Sequence, residues 1–185
     1  MSHDLVLRAR NGDHEAFTAL VAASFDGLFR LARLILRDDE LAADAVQNAL
    51  LSAWLHIRAV RNPERFEAWL RRLVVRACYR ESSQSRRVRA IEVRHIALDH
   101  PESDDVQAPL AIRDQLDRGF LRLSRQQRAV LVAHYYLDLT DSEAASALDI
   151  PIGTYKSRLN RAATALRAAI EADARTPNLT HESIR

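Results

Sequence analysis

The sequence predicts an all-α protein with two small helical domains joined by a flexible acidic linker. Helix-forming Ala, Leu and Arg dominate the 185 residues, and only 4 Gly and 5 Pro are present. Apolar residues recur at helical spacing in both halves, and no pair of alternating strand-like segments stands out. A polar stretch separates the two halves, each of which carries enough apolar residues for a core.

Three helices are predicted in the first half. Asp13 can cap a helix whose apolar stripe runs from Phe17 to Ile35. The charged segment RDDE interrupts it, and a second helix begins near Asp39. A third helix follows the segment RNPER, in which Asn62 is a good N-cap and Pro63 suits the first helical position.

The distribution of charge marks a domain boundary. Ten Arg and three acids lie between Arg58 and Arg89, whereas residues 99–109 hold four acids and no Lys or Arg, although the net charge is only +2. This asymmetry indicates a basic face for phosphates and an acidic segment kept away from them. We predict these divisions of the chain: an N-terminal domain over 1–85, a linker over 86–111, a C-terminal domain over 112–172 and a polar tail over 173–185.

The C-terminal domain is predicted to contain a helix-turn-helix. Residues 124–127 and 140–143 each match a capping box, with Ser or Thr at the first position and Gln or Glu at the fourth. Asp149 stands in the corner where Gly is usual, and Asp tolerates left-handed backbone better than most residues. Pro151 then begins a long last helix.

The last helix has an apolar face and a polar face. The polar face carries Lys156, the only Lys of the chain, with Ser157, Asn160 and Arg161. Lys and Arg donate to guanine, and Asn pairs with adenine. A merely solvated polar face is the alternative. The Ala-rich preceding helix, the short connection and the cationic first turn favour a helix that reads DNA.

Several other functions lack the residues they need. Because Cys78 is the single cysteine, an intrachain disulfide framework and a cysteine-based zinc site are ruled out. We expect Cys78 to lie in the core, together with Trp54, Trp69 and the pair Tyr135–Tyr136. No phosphate loop, nucleophile elbow or catalytic carboxylate pair is present, so we expect no enzyme, cofactor or metal. Without an apolar membrane segment or signal peptide, the expected location is the cytoplasm.

Four segments, in this order, resemble the extracytoplasmic-function (ECF) sigma factors of bacterial RNA polymerase, which belong to the sigma-70 family. They are NGDHEAFTALV, DAVQNALLSAW, RNPERFEAWLRRLVV and LSRQQRAVLVAHYYLDLTDSEAASALDIPIGTYKSRLNRA. The second is similar to the family's clamp-docking segment, the third to its promoter-melting segment and the fourth to its −35-reading domain. The resemblance implies a protein that binds core polymerase, recognises the −10 and −35 elements, opens the promoter and starts transcription.

The resemblance also implies three sets of site residues. Core polymerase would be bound by Asp44, Gln47, Asn48 and Leu51. The −10 element would be bound by Arg58, Val60, Arg61, Arg65, Arg72, Arg76 and Arg80. The −35 element would be bound by Thr154, Lys156, Ser157, Arg158, Asn160 and Arg161. The implied partners are promoter DNA and the clamp and flap of the large polymerase subunits, and the resemblance also allows an anti-sigma factor. The sequence departs from the family at Asn48, Arg76 and His134, which usually are Glu, Asn and a stronger cation.

Two other functions share some of these features. A DNA-binding regulator with a helical effector or dimerisation domain would have the same C-terminal hairpin, and it would bind duplex DNA alone as a dimer. A helical adaptor would bind proteins and no DNA.

Overall fold

The computed structural model describes residues 2–84 and 110–174, and within these ranges the chain forms helices and turns without a strand. The helices are α1 (Ser2–Arg10), α2 (His14–Leu36), α3 (Asp39–His56), α4 (Phe66–Gln84), α5 (Leu110–Leu121), α6 (Arg125–Leu131), α7 (Asp141–Leu148) and α8 (Ile152–Ala174). The all-α prediction is confirmed. Most of the predicted linker and of the predicted tail lies outside the described residues.

The predicted helix starts in the first half are present. Asp13, Asp38 and Asn62 each accept a hydrogen bond from a backbone N–H two or three residues later, at 3.0, 3.1 and 3.0 Å. Arg37 ends α2 in left-handed geometry, with φ 55°. A short 3₁₀ turn over Pro63–Arg65 precedes α4, so the third helix begins slightly later than the sequence predicted.

Helix α1 is a finding that the sequence analysis did not predict. It packs against α2 and buries Val6 and Ala9. A nine-residue helix is too short to be stable by itself, so its stability comes from packing rather than from its own propensity.

The centre of α4 forms the middle of the N-terminal core. Leu70, Val74 and Cys78 are fully buried there, and burial raises the pKa of the Cys78 thiol to about 12. The expected burial of Cys78 is therefore confirmed. Trp54 and Trp69 lie at the core's edge with part of each ring exposed, and their centroids are 5.0 and 5.8 Å from those of neighbouring Phe rings.

The second half contains the predicted helix-turn-helix. Both capping boxes are formed, and α6 and α7 pack on α8 around the buried Tyr155. Asp149 adopts left-handed geometry in the corner, with φ 60° and ψ 45°, as the sequence predicted. A π-helical segment over Val132–Tyr136 follows α6 and turns Tyr135 and Tyr136 outward. The expectation that this aromatic pair lies in the core was wrong.

The two halves contact each other directly. Helix α4 packs against α6 and α7, and α2 packs against α6. The buried guanidinium of Arg128 donates a 2.6 Å hydrogen bond from α6 to the carbonyl of Ile35 at the end of α2. No helix within residues 2–84 and 110–174 combines the length and apolar character needed to cross a membrane.

Candidate nucleic-acid and polymerase interfaces

The outer face of α3 presents the residues predicted to bind polymerase. Asp44, Gln47, Asn48 and Leu51 are all exposed, whereas the alanines and valine between them face the core. Leu55 lies one turn after Leu51 and is 75% exposed. Sequence analysis missed Leu55, although its spacing of four from Leu51 was the signal that could have found it.

A basic loop joins α3 to α4. Arg58, Arg61 and Arg65 are exposed around its two 3₁₀ turns. Val60 differs from them, because its side chain is only 6% exposed and lies in the core. In this structure Val60 anchors the loop from inside, and its side chain is not at the surface that DNA would meet.

The other predicted −10 residues form a basic stripe on α4, four residues apart, made of Arg72, Arg76 and Arg80. All three are ion-paired to α7 or to the corner after it. Arg76 lies 2.6 Å and Arg80 3.3 Å from a carboxylate oxygen of Asp149, and Arg72 lies 3.4 Å from Glu143. Sequence reasoning could not find these contacts, since the partners are about seventy positions apart.

The pKa values of the two acids, Asp149 and Glu143, are lowered by their surroundings. Hydrogen bonding from Arg76, followed by its charge and by Arg80, lowers the pKa of Asp149. The pKa of Glu143 is also lowered, mainly by the hydroxyl and backbone N–H of Thr140 and to a lesser extent by the charge of Arg72. Both acids are therefore ionised at neutral pH and present negative charge to the basic stripe.

The first turns of α8 expose most of the predicted −35 residues. Lys156, Ser157, Asn160 and Arg161 face solvent. The Arg161 Nε donates to the Ser157 carbonyl at 3.2 Å, so its guanidinium is held along the helix surface. Lys156 Nζ lies 3.8 Å from Asp141, a pair loose enough for a phosphate to replace.

Two predicted −35 residues have a different setting. Thr154 is half-buried, and its carbonyl accepts a 2.9 Å hydrogen bond from the Ser157 hydroxyl. Arg158 is also half-buried, and its guanidinium lies 5.6 Å from the ring centroid of Tyr79 on α4. Arg158 therefore faces the N-terminal half, whereas Lys156 and Asn160 face outward.

Sequence comparison assigns both halves to one family. Residues 20–88 match the model of sigma-70 region 2, and residues 113–166 match that of sigma-70 region 4. The chain is 36% identical over 152 residues to the ECF RNA polymerase sigma factor SigM of Mycobacterium tuberculosis, covering 82% of this chain and 75% of the relative. The chain belongs to the ECF RNA polymerase sigma factors. It is also 31% identical over 171 residues to SigL of the same species, covering 87% and 94% of the two chains.

Solved structures share the fold of this sigma factor. CnrH, in complex with the cytosolic domain of CnrY, matches with a TM-score of 0.53 and 24% identity over 93% of this chain and 98% of that one. The sigma factor RpoE of Bartonella quintana, in complex with the anti-sigma factor NepR, matches with a TM-score of 0.58 and 19% identity, over 85% and 98% of the two chains.

Family membership decides the function. This sigma factor binds core RNA polymerase, directs it to specific promoters and initiates transcription. The regulator and adaptor hypotheses are set aside, because neither accounts for region 2 and region 4 in one chain.

Proposed function

We propose that three separate surfaces divide the work of this sigma factor. The observation that carries the proposal is their placement: the outer face of α3, the basic loop with the α4 stripe, and the first turns of α8 are on different elements. In this assignment, the N-terminal domain over 1–85 binds polymerase and the −10 element, and the C-terminal domain over 112–172 binds the −35 element.

The first turns of α8 are assigned to the −35 duplex. A helix of this size fits the major groove, where cationic and amide side chains distinguish base pairs. Lys156, Asn160 and Arg161 are the exposed donors near its N-terminus. Ser157 and Thr154 are suited to contact phosphates beside the start of the helix. Arg158 becomes available to contact DNA once its guanidinium leaves the Tyr79 ring.

The basic loop and the α4 stripe are assigned to the opened −10 strand. Flipping a base out of the stack costs a few kcal/mol. Contacts to the DNA phosphates, together with the binding of polymerase, must offset that cost. The exposed side chains of Arg58, Arg61 and Arg65 supply part of the positive charge. Arg76 stands where the family usually has Asn, so we assign it to stacking on a base or holding a phosphate.

The outer face of α3 is assigned to the clamp of core polymerase. It joins one acid and two amides to the exposed Leu51 and Leu55, which suits an interface with an apolar centre and a polar edge. The C-terminal domain would meet the flap. Because polymerase works on chromosomal DNA, the cytoplasm is the proposed location.

An anti-sigma factor is a further proposed partner. It is suggested by the two solved relatives of the same fold, since RpoE is bound to the anti-sigma factor NepR and CnrH to the cytosolic domain of CnrY. Co-purification of a bound regulator with the tagged full chain from its native host would test this proposal.

Run-off transcription with purified core polymerase tests the assignments. On a promoter that requires its −35 element, the double variant Lys156→Ala/Arg161→Ala should lower the transcript by about ten- to a hundredfold, because two base or phosphate contacts are lost. Binding to core should not change. Arg167→Ala is the matched control, since Arg167 is exposed on the same helix beyond these turns.

Arg76→Ala should keep −35 binding and reduce the yield of open complexes, measured by permanganate reactivity of unpaired thymines. An unchanged open-complex yield would remove Arg76 from the −10 site. Loss of core binding in the Lys156→Ala/Arg161→Ala variant would contradict the assignment of α8.

A further inference from the structure

The π-helical segment Val132–Tyr136 places two large aromatic side chains in solvent. Tyr135 is 70% exposed and Tyr136 is 60% exposed, whereas the first two residues of the same segment are buried. Single π-helical turns are rare, and they occur frequently at functional sites. The three surfaces of the proposed function do not include this exposed pair, so it is a candidate for a further interaction.

Tyr135 stands beside the first turns of α8. Its ring meets the ring of His134 edge to face, with centroids 4.7 Å apart and an angle of 89° between the planes. His134 Nδ1 lies 3.8 Å from one carboxylate oxygen of Asp141, and Lys156 Nζ lies 3.8 Å from the other. A chain of neighbouring side chains therefore connects Tyr135 to the lysine that the proposed function assigns to the −35 duplex.

A second observation places Tyr135 on the same side of the domain. The pKa of Tyr155, which is buried in the first turn of α8, is raised to about 12. Burial is the main cause, and the electrostatic effects of Asp141 and Tyr135 add to it. The π-helical segment also packs directly on α7. Tyr135 is therefore held where α7 meets α8, next to the turns expected to read DNA.

The chemistry of Tyr135 suits a DNA phosphate. Its hydroxyl can donate a hydrogen bond, and tyrosine is among the side chains that bind phosphate oxygens in protein–DNA complexes. The acid of this group, Asp141, directs its two oxygens at His134 and Lys156. A protein partner is the alternative, since tyrosine is also enriched at protein interfaces. Continuity with a cationic helix expected to read DNA favours the phosphate.

We propose that Tyr135 is a further DNA-binding residue of this sigma factor, and that its hydroxyl donates a hydrogen bond to a backbone phosphate of the −35 element. This inference rests on the proposed −35 role of α8. The edge-to-face contact with His134 holds the Tyr135 ring in place. A phosphate contact carries no sequence information, and this one fixes the orientation of α8 in the major groove.

The test compares holoenzymes, each made from core polymerase and the full chain, by their affinity for a fluorescent promoter fragment that requires its −35 element. Tyr135→Phe removes only the exposed hydroxyl and keeps the ring, so the fold is preserved. It should weaken binding by about tenfold, because one hydrogen bond to a charged group is lost. Tyr136→Phe is the matched control, since it removes the same atom from the neighbouring exposed tyrosine, and it should leave binding unchanged.

Neutral phosphates identify the contact directly. A methylphosphonate is placed at one phosphate of the −35 element at a time, which removes that negative charge. At one position it should weaken wild-type binding about tenfold more than binding by Tyr135→Phe, because the variant has no hydrogen bond to lose there. Salt gives a second signature: Tyr135→Phe should keep the wild-type slope of log affinity against log salt, whereas Lys156→Ala should reduce that slope by about one.

Three results would overturn the proposed contact: equal affinity of Tyr135→Phe and the wild type, equal sensitivity of both to every methylphosphonate, or an equal loss in Tyr136→Phe. Weaker assembly of Tyr135→Phe with core polymerase would also overturn it, and would assign the ring to the polymerase instead. A failed −35 assignment is recognised separately, because Lys156→Ala/Arg161→Ala would then bind the promoter as tightly as the wild type.

Discussion

Arg128 is a buried cation that joins the two halves of the sigma factor. It is only 5% exposed, and it donates to the carbonyls of Ile35 at 2.6 Å and Leu123 at 2.5 Å. Burial, and then the charges of Arg37 and Arg125, lower the pKa of Arg128 to about 9, so it stays charged at neutral pH. The cation lies at the C-terminal end of α2, where carbonyls lack helical partners and positive charge is favourable.

We expect Arg128→Met to lower the free energy of unfolding by about 2–4 kcal/mol, because two buried carbonyls lose their donors while most of the side-chain volume is kept. Urea denaturation followed by circular dichroism measures the change. Arg125→Met is the control, since Arg125 makes a longer 3.3 Å bond to Leu36 from a more exposed position. Its cost should stay below about 1 kcal/mol, and an equal cost for both variants would contradict this role of Arg128.

At the scale of elements, two glycines inside helices have opposite surroundings. A Cβ at Gly27 in α2 would meet nothing within 4 Å, so this glycine only weakens the helix. A Cβ at Gly119 in α5 would lie 2.9 Å from the Cγ1 of Ile170 and 3.1 Å from the Cδ1 of Leu166 on α8. The close approach of α5 and α8 therefore depends on the missing side chain at Gly119.

Gly27→Ala should raise the free energy of unfolding by about 0.5–1 kcal/mol, through better helix propensity. Gly119→Ala should lower the free energy of unfolding by about 1 kcal/mol, because the cost of displacing the α8 side chains exceeds the gain in helix propensity. Thermal unfolding of the two variants beside the wild type gives the comparison. Stabilisation by both substitutions would show that α5 and α8 have room to move apart.

At the scale of the whole molecule, carboxylates of α7 and of the corner after it pair with the α4 stripe across the two halves. Arg76 and Arg80 lower the pKa of Asp149 below its ordinary value of 3.8. For Glu143, whose ordinary value is 4.5, the charges of Arg72 and Arg65 add to the larger effect of Thr140. The ion pairs between the two halves are therefore fully formed above the ordinary pKa values of the two acids, and they are lost as pH falls through the lowered values.

The radius of gyration of the free sigma factor should therefore stay constant from about pH 8 to about pH 5.5 at fixed ionic strength, since both acids remain ionised there. Small-angle scattering along a pH series measures this. Expansion between about pH 7 and pH 6 would instead show that a group other than these two acids holds the halves together.

Features set by local chemistry were predictable from the sequence. The caps at Asp13 and Asn62, both capping boxes and the left-handed corner at Asp149 depend on residues within a few positions of each other. The outward face of α3 follows from helical period alone. Local rules failed for α1, which is held by packing on α2, and for Tyr135, which a π-helical segment turns outward.

By itself the sequence determined the helices, the helix-turn-helix and, through its segments in order, the sigma factor family. Only the tertiary structure decided which charges meet. Arg76 and Asp149, like Arg128 and Ile35, are separated by more than seventy positions, and no local rule pairs them. Such pairs form because the packing of α4 on α7, and of α2 on α6, brings distant groups to one surface. At the surface between α4 and α7, the basic stripe that we expect to bind DNA is paired with acids of the sigma factor itself.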